Sequence, residues 1–235
     1  EIRALIAEGV RVLFINPVDG TRMNDVLRDA RAAGVIVIAI DTNIAAGSDV
    51  AATVVSDNYN AGRQCAAHLL AHADGARIAL LKHAEARSAE QRIEGFRAEI
   101  AQHPSFQIVA EADCSGQLER AMPAMEKMLM EHPEIDTVMA LNDPAALGAI
   151  AALQSAGRMP GDTMVYGVDG VPESRELIRT GWMTATAVQS PRGIGRMAAE
   201  EAYRILSAES AADIDLPTRL LTRANMDDND DGGWD

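Results

Sequence analysis

Four polar side chains occupy the same kind of place in this sequence. Asp41, Asn142, Asp169 and Gln189 each follow directly on a short apolar run, Val35 to Ile40, Thr137 to Leu141, Met164 to Val168 and Thr184 to Val188. Ligands of open α/β sheets bind in the crevice outside the carboxyl ends of the strands. Carboxylates and amides there accept and donate several hydrogen bonds each, which suits the hydroxyl groups of a sugar. Asp and Asn are also common helix caps, so a single one reads as capping. Four at equivalent positions point to a site.

Other residues with chemical potential read more plainly. His68 and His72 share a helix face at i, i+4, but the Glu of HExxH and a third ligand are both missing, so no metal is expected. Met122, Met125, Met128 and Met130 are expected to form one helix's core and flank. Asp227 to Gly232 opens like a calcium loop, yet the bidentate Glu that such a loop needs at its twelfth place does not follow; residues 227–235 are expected to be a disordered acidic tail. Cys65 and Cys114, without a CxxC, are expected to be core thiols. No GxGxxG or GxxxxGK[ST] phosphate loop occurs, and neither Ser88 nor Ser190 has His and Asp nearby in sequence. No cofactor is expected.

Alternating strands and helices must position these residues. Val10 to Ile15 reads as a buried strand stopped by Asn16-Pro17, and Met23 to Ala33 as a helix closed by Gly34. Strands follow at Val35 to Ile40 and Val50 to Val55, then a helix over Ala61 to Ala71 capped from Ser56-Asp57-Asn58. The alternation continues with strands at Arg77–Leu81, Phe106–Glu111, Thr137–Leu141, Met164–Val168 and Thr184–Val188. Helices are expected at about Ser88–Gln102, Leu118–Glu131, Asn142–Ala156, Pro172–Thr180 and Ile194–Leu206. Apolar strands alternating with amphipathic helices indicate parallel sheets covered on both faces. Roughly eight strands suit two successive Rossmann-like sheets, with linker strands near Ser56, Gln189 and Thr218. The expected division is residues 1–56 plus 189–218 for one lobe and 57–188 plus 219–226 for the other.

Composition narrows the partners. The chain has 235 residues, 48% hydrophobic, with a net charge of −14. A nucleic-acid partner is not expected, because phosphate binding concentrates Lys and Arg. Aromatic residues make up 3%, leaving few rings to stack on a sugar or base. No apolar run reaches the roughly 18 residues of a membrane span.

The segments INPVD (Ile15 to Asp19), VIVIAID (Val35 to Asp41), SDN (Ser56 to Asn58), RIEGF (Arg92 to Phe96), ALNDPAALGA (Ala140 to Ala149), YGVDGVPE (Tyr166 to Glu173) and ATAVQSPRGIG (Ala185 to Gly195) run in order along the chain. Together they resemble the ribose-type periplasmic binding proteins, solute receptors of sugar ABC transporters. The resemblance implies an α/β protein with two Rossmann-like lobes joined by hinge strands, closing over a monosaccharide or polyol. It implies polar ligand contacts at Asp41, Arg92, Asn142, Asp169 and Gln189. A guanidinium such as that of Arg92 gives two parallel hydrogen bonds, which Lys cannot; the plainer reading of Arg92 is a helix-face ion pair with Glu85 or Glu99.

Two positions depart from the family pattern. Thr42, kept with the candidate contacts, stands where ribose binders often have Arg, which argues against a specific assignment to ribose. Around Asp113-Cys114 the usual aromatic ring is missing. The family's first strand-helix-strand unit has no counterpart either, so the first lobe is expected to be incomplete, with an unpaired inner edge, and the chain alone to bind ligand poorly. The resemblance further implies a monomer in the periplasm that serves a membrane permease and has no enzymatic activity; the signal peptide that would take it there is not in the chain. Rival readings are the effector domain of a lactose-repressor-type regulator, an α/β sugar hydrolase or kinase, and a sensor ectodomain. An upstream helix-turn-helix, a nucleophile or a phosphate loop would mark the first two.

Overall fold

The computed structural model describes residues 1–16, 23–44 and 48–226. Its first part runs α1 (Ile2–Ala7), β1 (Val12–Ile15), α2 (Asn24–Ala32), β2 (Ile36–Ile40) and β3 (Ala52–Ser56). It continues with α3 (Asn58–His72), β4 (Ala76–Lys82), α4 (Arg87–Ile100), β5 (Phe106–Asp113), α5 (Leu118–Glu131), β6 (Thr137–Ala140) and α6 (Asp143–Ser155). The last part is β7 (Met164–Asp169), α7 (Pro172–Thr180), β8 (Ala185–Val188), α8 (Pro191–Leu206), β9 (Ile214–Leu216) and β10 (Arg219–Thr222).

The strands form two sheets. One has the order β1-β2-β3-β9, all parallel, and the other β10-β8-β7-β6-β4-β5, parallel except for β10. The chain therefore passes between sheets three times: at Asp57, at Gln189-Ser190 and at Pro217-Thr218. Beside the outer edge of β1 no strand lies among the described residues, and Phe14 on that strand is exposed.

Each sheet has its own core. Ile38 and Val54 pack against Ile194, Ala198 and Ala202 of α8, while Leu13, Ile15 and Val37 pack with Leu27 and Ala30 of α2. In the larger sheet α3 packs with α4 and α5 with α6. Every residue of β6 and β8 is buried, as a sheet covered on both faces requires. Strand β4 lies between β5 and β6, so the crossovers through α4 and α5 lead in opposite directions. Their divergence opens a crevice at the carboxyl end of β4, the switch point at which such sheets bind ligands.

Several boundaries differ from those expected. Helix α3 begins at Asn58, because Asp57 rather than a later residue accepts from the Asn60 amide at 3.0 Å. Ser190 caps α8 through the Gly193 amide at 3.1 Å, so this helix starts at Pro191 and not at Ile194. The described residues hold ten strands, since the segment near Thr218 is two short strands, one in each sheet. The acidic tail, with its calcium-like opening, and Pro17 to Asp19 lie outside the described residues.

Candidate functional site

Asp41, Arg92, Asn142, Asp169 and Gln189 line one cavity of about 390 Å³. Asp41 comes from the end of β2 in the smaller sheet. Asn142 and Asp169 come from the ends of β6 and β7, and Arg92 from α4, all in the larger sheet. Gln189 ends β8, where the chain crosses back. Thr42 is not among the lining residues; its amide turns back to the Ile40 carbonyl at 2.7 Å, which carries it past the cavity.

Arg92 organises the floor. Its side chain is buried, with Nε donating to Asn58 Oδ1 at 2.8 Å and Nη1 donating to the Leu141 carbonyl at 2.9 Å. Nη1 also lies 3.5 Å from Asp169 Oδ1. Neither Glu85 nor Glu99 pairs with it; Glu99 binds Arg63 at 2.8 Å. Gln189 Nε2 donates to the same Asp169 oxygen at 2.7 Å, which leaves Gln189 Oε1 buried with no partner among the described residues. Asn58 Nδ2 donates in turn to the Ser56 carbonyl at 2.9 Å. One polar chain thus runs from the first crossing segment, through Arg92 and Asp169, to the second.

Two of the acids sit on unusual backbone: Asp41 has φ 66° and Asp169 φ 134°. A side chain in this region costs about 1–3 kcal/mol and persists only where its surroundings hold it. Asp41 Oδ2 accepts from Asn16 Nδ2 at 2.9 Å. Burial pushes the Asp169 carboxyl above its ordinary range; the Asp41 charge adds to this, and Arg92 and Gln189 oppose it. Asn142 does cap α6, accepting from the Ala145 amide at 3.0 Å, and its Nδ2 donates to the Gly116 carbonyl at 3.1 Å. An amide has one more N–H and one more lone pair to offer, so capping and lining the cavity are compatible.

His83, Ser88, Ser115 and Gly116 line the same cavity and were not legible in sequence. His83 follows β4, Ser115 and Gly116 follow β5, and Ser88 lies in the first turn of α4; none carries a distinguishing pattern. The apolar part of the wall comes from Leu141, Ile194, Ala86, Ala89 and Pro191 rather than from aromatic rings. Acceptors (Asp41, Asp169) and donors (Arg92, Asn142, the serines) therefore face a small space with modest apolar backing. This arrangement can hold a compact molecule carrying several hydroxyls.

Residues 1–210 match the family described as periplasmic binding protein domain. The chain belongs to this family. The ribose import binding protein RbsB of Salmonella typhimurium is 32% identical to this periplasmic binding protein over 210 residues, covering 88% of the chain and 70% of the relative. Its Bacillus subtilis counterpart is 34% identical over 226 residues, covering 95% and 72%. Among solved structures, the binding component of an arabinose ABC transporter from Shewanella sp. ANA-3, bound to L-arabinofuranose, superposes with a TM-score of 0.92 at 29% identity, covering 97% of this chain and 78% of that one. The Caulobacter myo-inositol binding protein gives 0.89 at 28%, covering 97% and 79%. These relatives are transport receptors, in line with the resemblance to the ribose-type receptors and not with the repressor alternative.

Elsewhere in this periplasmic binding protein, His68 and His72 stack with ring centroids 4.0 Å apart, and His68 Nδ1 shares a hydrogen bond of 3.0 Å with the buried Tyr166 hydroxyl. Burial holds the His68 imidazole below its usual range. No group of three metal-ligating side chains occurs among the described residues. Cys65 and Cys114 are both buried and free.

Proposed function

We propose that this chain is the solute-binding component of a sugar ABC importer, working in the periplasm as a monomer. It takes up a monosaccharide or polyol and delivers it unchanged to a membrane permease, without chemistry on the sugar and without a nucleic-acid partner. The observation that carries this reading is the convergence of Asp41 from one sheet with Arg92, Asn142 and Asp169 from the other on a single cavity. Hinge closure brings this about: the sugar settles against one lobe, and the three crossing segments let the other swing over it.

The energetics are adequate. Hydrogen bonds to charged partners contribute about 1.5–3 kcal/mol each. Several of them, less the cost of ordering, reach the roughly 8 kcal/mol of a micromolar complex. Calorimetric titration of the protein with D-ribose, D-allose, L-arabinose and myo-inositol, backed by a wider thermal-shift panel of pentoses, hexoses and polyols, tests the reading. At least one should bind, if only at millimolar concentration, and Asp169→Asn should weaken it tenfold or more. If none of these sugars binds, the reading fails; if Asp169→Asn leaves the affinity unchanged, Asp169 is removed from the site. Arg92→Ala is the poorer probe, because it strands the buried Asp169 carboxylate and lowers stability as well.

A further inference from the structure

Asp143 is fully buried and does not line the cavity, yet it touches the loops that do. Its Oδ2 accepts from the Gly170 amide at 2.8 Å and from the Val171 amide at 3.0 Å. Its Oδ1 accepts from Thr186 Oγ1 at 2.7 Å. Gly170 and Val171 follow Asp169, Thr186 lies on the strand that ends at Gln189, and Asp143 itself follows Asn142. One carboxylate thus ties together the three segments carrying Asn142, Asp169 and Gln189. The turn it holds needs holding: Asp169 and Gly170 have φ 134° and 81° in succession, a conformation that would relax if the two amides were released.

We propose that Asp143 is the positioning residue of the ligand site, locking the 169–171 turn to β8 and to the start of α6 so that three ligand-facing side chains keep one geometry. The packing leaves no slack for a substitute arrangement. A Cβ added at Gly167 would stand 2.4 Å from Asp143 Oδ1, so the carboxylate is seated directly against the β7 backbone. A carboxamide at position 143 can make the same three contacts, its oxygen accepting from both amides and its NH2 donating to the Thr186 hydroxyl. Alanine can make none.

This inference rests on the sugar-binding reading for its consequence and on the fold alone for its mechanism, so two readouts separate them. The first is amide hydrogen exchange at Gly170 and Val171, with Ala79 in β4 as an internal reference. The second is affinity for the sugar that the unaltered protein binds. Asp143→Ala should speed exchange at Gly170 and Val171 at least tenfold relative to Ala79 and weaken sugar binding at least tenfold; Asp143→Asn should restore both to within about threefold. A folded Asp143→Ala protein with unchanged exchange at these amides, or with unchanged affinity, overturns the proposal, as does an Asp143→Asn protein no better than the alanine variant. If Asp143→Ala does not fold, Thr186→Val removes one of the three donors. It should then speed exchange at Gly170 and Val171 at least threefold, and no change overturns the proposal. If the unaltered protein binds no sugar, the transport reading falls, and the exchange data still decide whether Asp143 holds the turn.

Discussion

Two buried acids 26 residues apart, Asp143 and Asp169, serve one end of the larger sheet, and burial raises the pKa of both. For Asp143 the carboxyl is pushed up to about 7, first by burial and then by the Asp169 charge, against the donors Thr186 and Val171. The other titratable neighbour is the Cys65 thiol, itself pushed up to about 12 by burial and so neutral throughout; Arg92 acts at one remove, through Asp169. The sign follows from linkage. Between about pH 4 and pH 7 the folded chain keeps a proton that the unfolded chain releases, so this group's stabilising contribution is whole below pH 4 and is lost as pH rises through about 7. At 1.36 kcal/mol per unit, the effect is at most about 4 kcal/mol. Asp143→Asn imitates the protonated form. It should come within about 1 kcal/mol of the unaltered protein near pH 4 and exceed it by about 2–4 kcal/mol near pH 8, measured by urea unfolding at both pH values. Parallel pH profiles for the two proteins would show that Asp143 is ionised across the range. Asp41, Asn142, Asp169 and Gln189 could be read from sequence because an acid or amide directly after an apolar run has one plausible place in an α/β sheet. Asp143 could not. Asn-Asp-Pro reads as a helix start with a solvated acid in its first turn, and only the fold shows that β7 and β8 close over it.

The placement of Arg92 is settled by helices before it is settled by charges. Helices α3 and α4 cross so closely that a Cβ at Gly62 would lie 1.8 Å from the Arg92 carbonyl oxygen, and one at Gly95 would lie 2.0 Å from the Tyr59 carbonyl oxygen. Both obstacles are backbone, so neither can swing aside. Gly62→Ala or Gly95→Ala should therefore force the helices apart, costing about 3 kcal/mol or more and lowering Tm by roughly 6 °C or more for a protein of this size. Sugar affinity should fall with it, because the Arg92 backbone moves. Gly195 in α8 is the control. Its added Cβ meets nothing within 4 Å, and alanine should stabilise that helix by about 0.5–1 kcal/mol. Equal melting temperatures for Gly62→Ala and Gly195→Ala would show that the close crossing is not a constraint. At this scale the sequence was informative about the existence of elements and poor about edges and partners. The apolar runs announced β1 to β8. A linker strand was expected near Thr218, but its division into β9 and β10 stayed hidden, because three and four residues on either side of Pro217 are too short to show a period. Strand order is set by which helix crosses which face, and nothing in local pattern records that.

Across the whole molecule, the site brings like charges together. Asp41 from the smaller sheet stands close enough to Asp169 of the larger one to raise its pKa, while Arg92 beside Asp169 acts the other way and more strongly. Closure is helped by contacts such as Asn43 Nδ2 donating to Gln91 Oε1 at 3.2 Å between the two halves. A part-buried neutral amide pair of this kind contributes little, on the order of 1 kcal/mol. Without ligand, the Asp41 charge still works against closure, though Arg92 tempers it. A sugar whose hydroxyls donate to both carboxylates turns the same pair into an attraction through the ligand, so that binding and closure become one event. Asp41→Asn removes the repulsion and keeps the shape. It should increase the closed population of the ligand-free protein several-fold, seen as a smaller radius of gyration in solution scattering, or as a higher transfer efficiency between dyes placed on the two lobes. The same variant should bind sugar more weakly, because an amide accepts a hydroxyl less strongly than a carboxylate does. Closure and affinity would then change in opposite directions, which simple damage to the fold does not produce. An unchanged ligand-free radius in Asp41→Asn would mean that the charges do not hold the lobes apart.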